Sequence, residues 1–145
     1  KQLYVRALGS LCVGCLLTLG VVVFGVIRLE PWYEPRYLIP LAGMIFANSM
    51  NTVSLAAERF QAERKQGAPY EVARRVAFQA SLLPLVNMFF AVGLVSLPGM
   101  MTGQILAGVS PLVAVRYQVM VMCMLLGASG ISCAMYLTQL RGRAL

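Results

Sequence analysis

The chain has 145 residues, of which 59% are hydrophobic and only 12% charged. That is far more apolar surface than a soluble domain of this size needs to hide, so the sequence reads as an integral membrane protein. It contains no His, and its five acidic residues are all Glu, which excludes metal sites or catalytic dyads built from His or Asp within the chain. The net charge of +7 does not point to nucleic acid, because the basic residues flank apolar runs instead of gathering on one face.

Ala7 to Ile27 is uncharged and long enough to cross a bilayer core, which needs about 20 helical residues. It is too long for the apolar part of a signal peptide and has no persuasive cleavage site, so it reads as a retained first span. Cys12 and Cys15 form a C-x-x-C pair there, but no electropositive group stands near to activate a thiolate, so packing is the expected role. Arg28 to Arg36 follows as an interfacial loop in which Trp32 and Tyr33 suit the headgroup region. Tyr37 to Ala57 is the second span. Its Asn48, Ser49, Asn51, Thr52 and Ser54 are expected to face protein or a pathway instead of lipid.

Glu58 to Arg75 carries eight charges, five basic and three acidic. It reads as two short helices joined by a turn, with Gly67 as a C-cap, Pro69 in the first turn of the next helix and Glu71 near that helix's N-terminus. The expected form is a water-exposed helical protrusion. Val76 to Val115 is then an uncharged run of forty residues, in which Val76 to Leu97 makes a third span. Pro98 and Gly99 are expected to stop or bend that helix near Leu97. Pro98 to Arg116 is the broken or re-entrant segment. Tyr117 to Leu140 forms a fourth span, with Cys123 and Cys133 as unpaired fillers and Gly127 and Gly130 permitting close helix packing. Nine Lys and Arg lie with the N-terminus, the protrusion and the tail, against three on the other side, which puts the protrusion in the cytoplasm. The fold expected is all-α and polytopic, with about four spans in a single membrane domain.

Two sequence blocks add a resemblance. SLPGMMTGQILAG followed by SP and RYQ, within Val95 to Gln118, and IPLAGMIFANSMN from Ile39 to Asn51, resemble the signature motifs of the FetB-type permease family; SLLPLVN fits as well. The similarity covers about Pro35 to the C-terminus. It implies the C-terminal portion of a longer permease, a subunit of an ABC exporter linked to iron efflux, multi-pass in the bacterial inner membrane. It also implies a homodimer and a cytoplasmic ATPase partner that carries ATP and Mg, with no cofactor in this chain. Under that resemblance the protrusion becomes the coupling element, through Arg59, Arg64, Lys65, Gly67, Glu71, Arg74 and Arg75. It is shorter than the family pattern and lacks the leucine-rich lead-in before Gly67.

The residues themselves agree with a non-catalytic, ATPase-dependent subunit. No G-x-x-x-x-G-K-[ST] loop is present to cradle ATP, and no apolar run holds an ionisable residue of the kind proton-coupled carriers place in the membrane. Pro98, Gly99, Gly103 and Gly108 form a candidate hinge. Candidate pathway residues are Asn48, Ser49, Asn51, Asn87, Met100, Met101, Thr102 and Gln104. The amides and hydroxyls offer hard oxygen ligands or simply join neighbouring helices. The methionines, including Met120, Met122 and Met124, offer soft thioethers or gap-filling. A gradient-driven cation carrier or channel, and a non-transporting membrane scaffold, are the alternatives to the exporter.

Overall fold

A computed structural model describes residues 2–27, 35–92 and 98–141. Five α-helices follow in order: α1 (Gln2–Gly20), α2 (Pro35–Lys65), α3 (Tyr70–Ala91), α4 (Gly99–Leu106) and α5 (Pro111–Gln139). A π-helical stretch, Val21–Ile27, continues α1. There the run of three valines and Gly25 is a poor α-former, and the spiral widens. The expected loop at Arg28 to Arg36 falls almost wholly outside the described residues, as do Leu97 and Arg143.

Two clusters of buried side chains fix the direction of each helix. Leu11, Val53, Phe60, Ala73, Tyr136 and Leu140 pack together at one end, and Val22, Leu41, Leu85 and Val121 at the other. Helices α2 and α5 therefore run parallel to each other and antiparallel to α1 and α3. The N-terminus, the α2–α3 turn and the end of α5 share one end of the bundle, as the charge distribution predicts. Because α2 finishes at that end and α5 starts at the opposite one, the chain between them has to traverse the bundle.

Among the described residues, three helical stretches are long and apolar enough to cross a membrane: Ala7–Val26, Leu38–Lys65 and Pro111–Gln139. The third span expected at Val76 to Leu97 is α3, which starts earlier and ends at Ala91, so its uncharged part is sixteen residues, about 24 Å. It makes the fourth traverse with a shorter apolar length. Every buried polar side chain among the described residues is a Ser or Thr, while Leu8, Leu16, Phe24, Ile39 and Phe90 lie exposed. Small inside and large apolar outside is the arrangement of helices packed in lipid.

Other boundaries differ from expectation. The protrusion is not two separate short helices. With 31 residues, α2 is about 46 Å long against a bilayer core of about 30 Å, so its charged last turns and the first turns of α3 simply extend beyond the apolar zone. The expected fourth span starts at Pro111 instead of Tyr117. Ser110 and Pro111 occupy the N-cap and first helical positions, where proline is favoured, and Arg116 lies inside the helix. Pro98, too, starts a helix: with φ −61° and ψ 138° it is the N-cap of α4, whereas Pro84 sits within α3 without ending it.

Candidate functional site

Three features carry chemistry: a polar seam inside the bundle, the α4 break and the charged hairpin. The seam begins with Ser10, Gly14 and Thr18, spaced four residues apart so that they share one face of α1. Gly14 lets that face touch α5, since a Cβ there would lie 3.0 Å from the Ser132 nitrogen and 3.2 Å from its Cα, and would collide with its hydroxyl. Cys15, fully buried, faces the hydroxyls of Ser49 and Ser132. Apart from this contact with the thiol, neither of those oxygens has a hydrogen-bond partner among the described residues, and Ser129 Oγ has none. Other hydroxyls turn back on their own helices: Thr18 Oγ1 donates to Gly14 O at 2.8 Å and Thr52 Oγ1 to Asn48 O at 3.0 Å. Ser81 Oγ lies 3.3 Å from Cys133 Sγ, joining α3 to α5. Cys12 is exposed while Cys15 is buried, so the C-x-x-C residues do not act together.

At the opposite end, α4 is closed by a Schellman cap: Val109 N donates to Gln104 O and Gly108 N to Ile105 O, both at 3.0 Å. Gly108 adopts φ +88°, a conformation glycine alone takes cheaply. The cap turns the chain directly into α5, so Gln104 to Val115 does not make a crossing of its own. Thr102 Oγ1 bonds back to Pro98 O at 3.1 Å. Gln104 Oε1 is buried with no hydrogen-bond partner among the described residues. A cavity of about 290 Å³ lies between α4 and α5, with Met101, Met122 and Gln118 in its wall.

The hairpin at the other end is rigid. Ala68 N donates to Glu63 O and Gly67 N to Arg64 O, both at 3.1 Å, with Gly67 at φ +85°; this is a second Schellman cap. Arg64 Nη1 donates to Ala68 O at 3.0 Å, and Arg59 pairs with Glu63 at 2.9 Å. Tyr70 stacks edge-on against Phe60, ring centres 5.8 Å apart, and its hydroxyl donates to Leu137 O at 2.8 Å. Leu137 O also accepts from Leu140 N at 3.2 Å, so the Tyr70 bond ties the hairpin to the last turn of α5.

This chain matches the uncharacterised protein family UPF0014 over residues 1–144. The chain belongs to the UPF0014 family. It is 43% identical to the UPF0014 membrane protein slr1647 of Synechocystis, over 81% of this chain and 51% of that protein. It is 37% identical to the probable iron export permease protein FetB of Escherichia coli, over 93% of this chain and 58% of that protein. With STAR2, a UPF0014 membrane protein of rice, it shares 33% identity over 85% of this chain and 47% of STAR2. The chain thus spans about half the length of the curated relatives it matches. No solved structure matches it significantly.

Within this UPF0014 chain the candidate pathway residues do not converge on one point. Ser49 lies in the seam, while Met101 and Gln104 lie at the break and Met100 packs beside them against the core. Asn48 is half-buried and donates to Met44 O at 2.9 Å. Asn51 and Asn87 are exposed on the outside of the bundle. Sequence reasoning missed Gly14, Cys15, Ser129 and Ser132 as one assembly. The four-residue spacing of small side chains in α1 was the available signal. Gly127 does border α1, 3.9 Å from a Thr18 methyl, but Gly130 has no neighbour within 4 Å.

Proposed function

We propose that this chain is part of the transmembrane subunit of an ABC exporter, lying in the bacterial inner membrane and moving a metal ion, iron by analogy with the name of its FetB relative, out of the cytoplasm. It performs no catalysis itself. ATP and Mg are held by a separate cytoplasmic ATPase subunit, and two permease subunits act together. The observation that carries this reading is the charged hairpin pinned to α5: a rigid cytoplasmic element joined to a membrane helix is what a coupling contact requires.

The proposed path of motion follows the bonds. Closure of the ATPase pushes the hairpin between Arg59 and Arg75, with Lys65 free at its tip. The Tyr70 hydroxyl bond and the Phe60 stacking pass the push to α5. At its far end α5 is continuous, through the Gly108 cap, with α4, so the movement changes access around Pro98 to Gly108. Gly99 and Gly103, which have no neighbour within 4 Å, leave α4 free to approach another surface. At the break, the unpartnered oxygen of Gln104 is the ligand best suited to a hard iron ion, with Met100 and Met101 beside it.

The test reconstitutes the full-length permease with its ATPase in proteoliposomes and follows iron flux. ATP-driven flux that disappears with a hydrolysis-dead ATPase supports the exporter; flux indifferent to ATP supports a gradient-driven carrier or channel, and no flux supports a scaffold. Gly99→Leu with Gly103→Leu should abolish flux while leaving insertion intact, and normal export by that variant would remove the break from the mechanism.

A further inference from the structure

Near the hairpin, a groove of about 530 Å³ lies between α3 and α5. Its charged rim is Glu71, Arg74 and Arg75, and its apolar lining is Phe78, Ala134 and Leu137, of which Leu137 is fully buried. On α3 the two arginines stand three and four residues before Phe78, about one helical turn or about 5 Å. The rim coincides with the last charged residues before α3 becomes uncharged, which is the level of the lipid headgroups. Arg74 contacts Glu71 at 3.5 Å with 41% of its side chain exposed, leaving most of its five donors open. Arg75 is exposed and makes no ion pair among the described residues. The N-terminus of α3 adds positive potential, since Pro69 provides no side-chain cap.

We propose that this groove binds an anionic phospholipid, with the phosphate held by Arg74 and Arg75 and an acyl chain laid over Phe78 and Ala134. Charge complementarity selects the headgroup, and the apolar wall selects a lipid over a free anion, for which the volume is far too large. The groove lies between two helices of the membrane bundle and reaches onto the uncharged part of α3 at Phe78, which selects lipid over a cytoplasmic protein. Basic pockets between membrane helices at the cytoplasmic side commonly bind such headgroups. The inference depends on the membrane fold and not on what is transported.

Full-length permease, delipidated in mild detergent, is titrated with phosphatidylglycerol or phosphatidylethanolamine and read by native mass spectrometry and by melting temperature. Phosphatidylglycerol should be retained preferentially and should raise the melting temperature. Arg74→Gln with Arg75→Gln should weaken retention by roughly tenfold or more, while Arg59→Gln with Lys65→Gln, an equal charge change, should not. Equal loss in the two variants, equal binding of phosphatidylethanolamine, no rise in wild-type melting temperature, or displacement by millimolar inorganic phosphate would each overturn the site. So would undiminished phosphatidylglycerol binding by the Arg74 and Arg75 variant together with loss of ATPase co-purification, which would assign the groove to a protein contact.

Discussion

Gly14 is the position where one atom matters most, because α1 can lie against the Ser132 backbone only if residue 14 has no side chain. Gly14→Val should destabilise the protein by about 1–3 kcal/mol, seen as a lower melting temperature in detergent, whereas Gly130→Ala, with open space around it, should leave the melting temperature nearly unchanged. Ser132 has the opposite character. Its hydroxyl is buried with only the Cys15 thiol beside it, a weak partner, so Ser132→Ala should change stability by less than about 1 kcal/mol. A marked loss of stability would mean that the hydroxyl finds a partner in the assembled protein. Gly67 was legible in the sequence as a cap, and its φ of +85° supplies the reason: Gly67→Ala should cost about 1 kcal/mol. The Ser49, Ser129 and Ser132 assembly was not legible, because a serine that packs and a serine that waits for a ligand look alike in sequence.

At the scale of elements, the hairpin and the break behave differently although both end in a Schellman cap. The hairpin is locked to its neighbour by a hydroxyl bond 67 residues apart in sequence and by the Phe60–Tyr70 stacking. Tyr70→Phe keeps the stacking and removes the bond, so it should cost about 1 kcal/mol and speed hydrogen exchange in the last turns of α2 and the first of α3. Unchanged exchange would show that the aromatic contact alone holds the hairpin. By contrast, α4 has no buried residue and, among the described residues, leans chiefly on α5. The sequence announced a break at Pro98 because proline and glycine act locally. It did not announce that Pro98 would begin a helix, since the same fixed φ both ends one helix and caps the next.

For the whole molecule, direction is the decisive quantity: α1 and α3 run one way, α2 and α5 the other. In a background with the native cysteines replaced, Lys65→Cys and Leu106→Cys should react with a membrane-impermeant maleimide from opposite sides, because the hairpin and α4 occupy opposite ends. Labelling of both from one side would overturn the topology. The clustering of basic residues already implied the arrangement, as the field and the insertion machinery act on charges that sequence displays directly.

Local chemistry in the sequence therefore determined the membrane class, the helical content, the apolar runs, the Gly67 cap and the charged protrusion, since each depends on residues adjacent in the chain. Only the tertiary structure decided that the protrusion is the continuation of α2 and α3, that it is tied to α5, and that the Cys15 thiol of α1 meets hydroxyls from α2 and α5. Those facts depend on which faces of separate helices meet, and in lipid that choice is made by the fit of small side chains, which no stretch of sequence records alone.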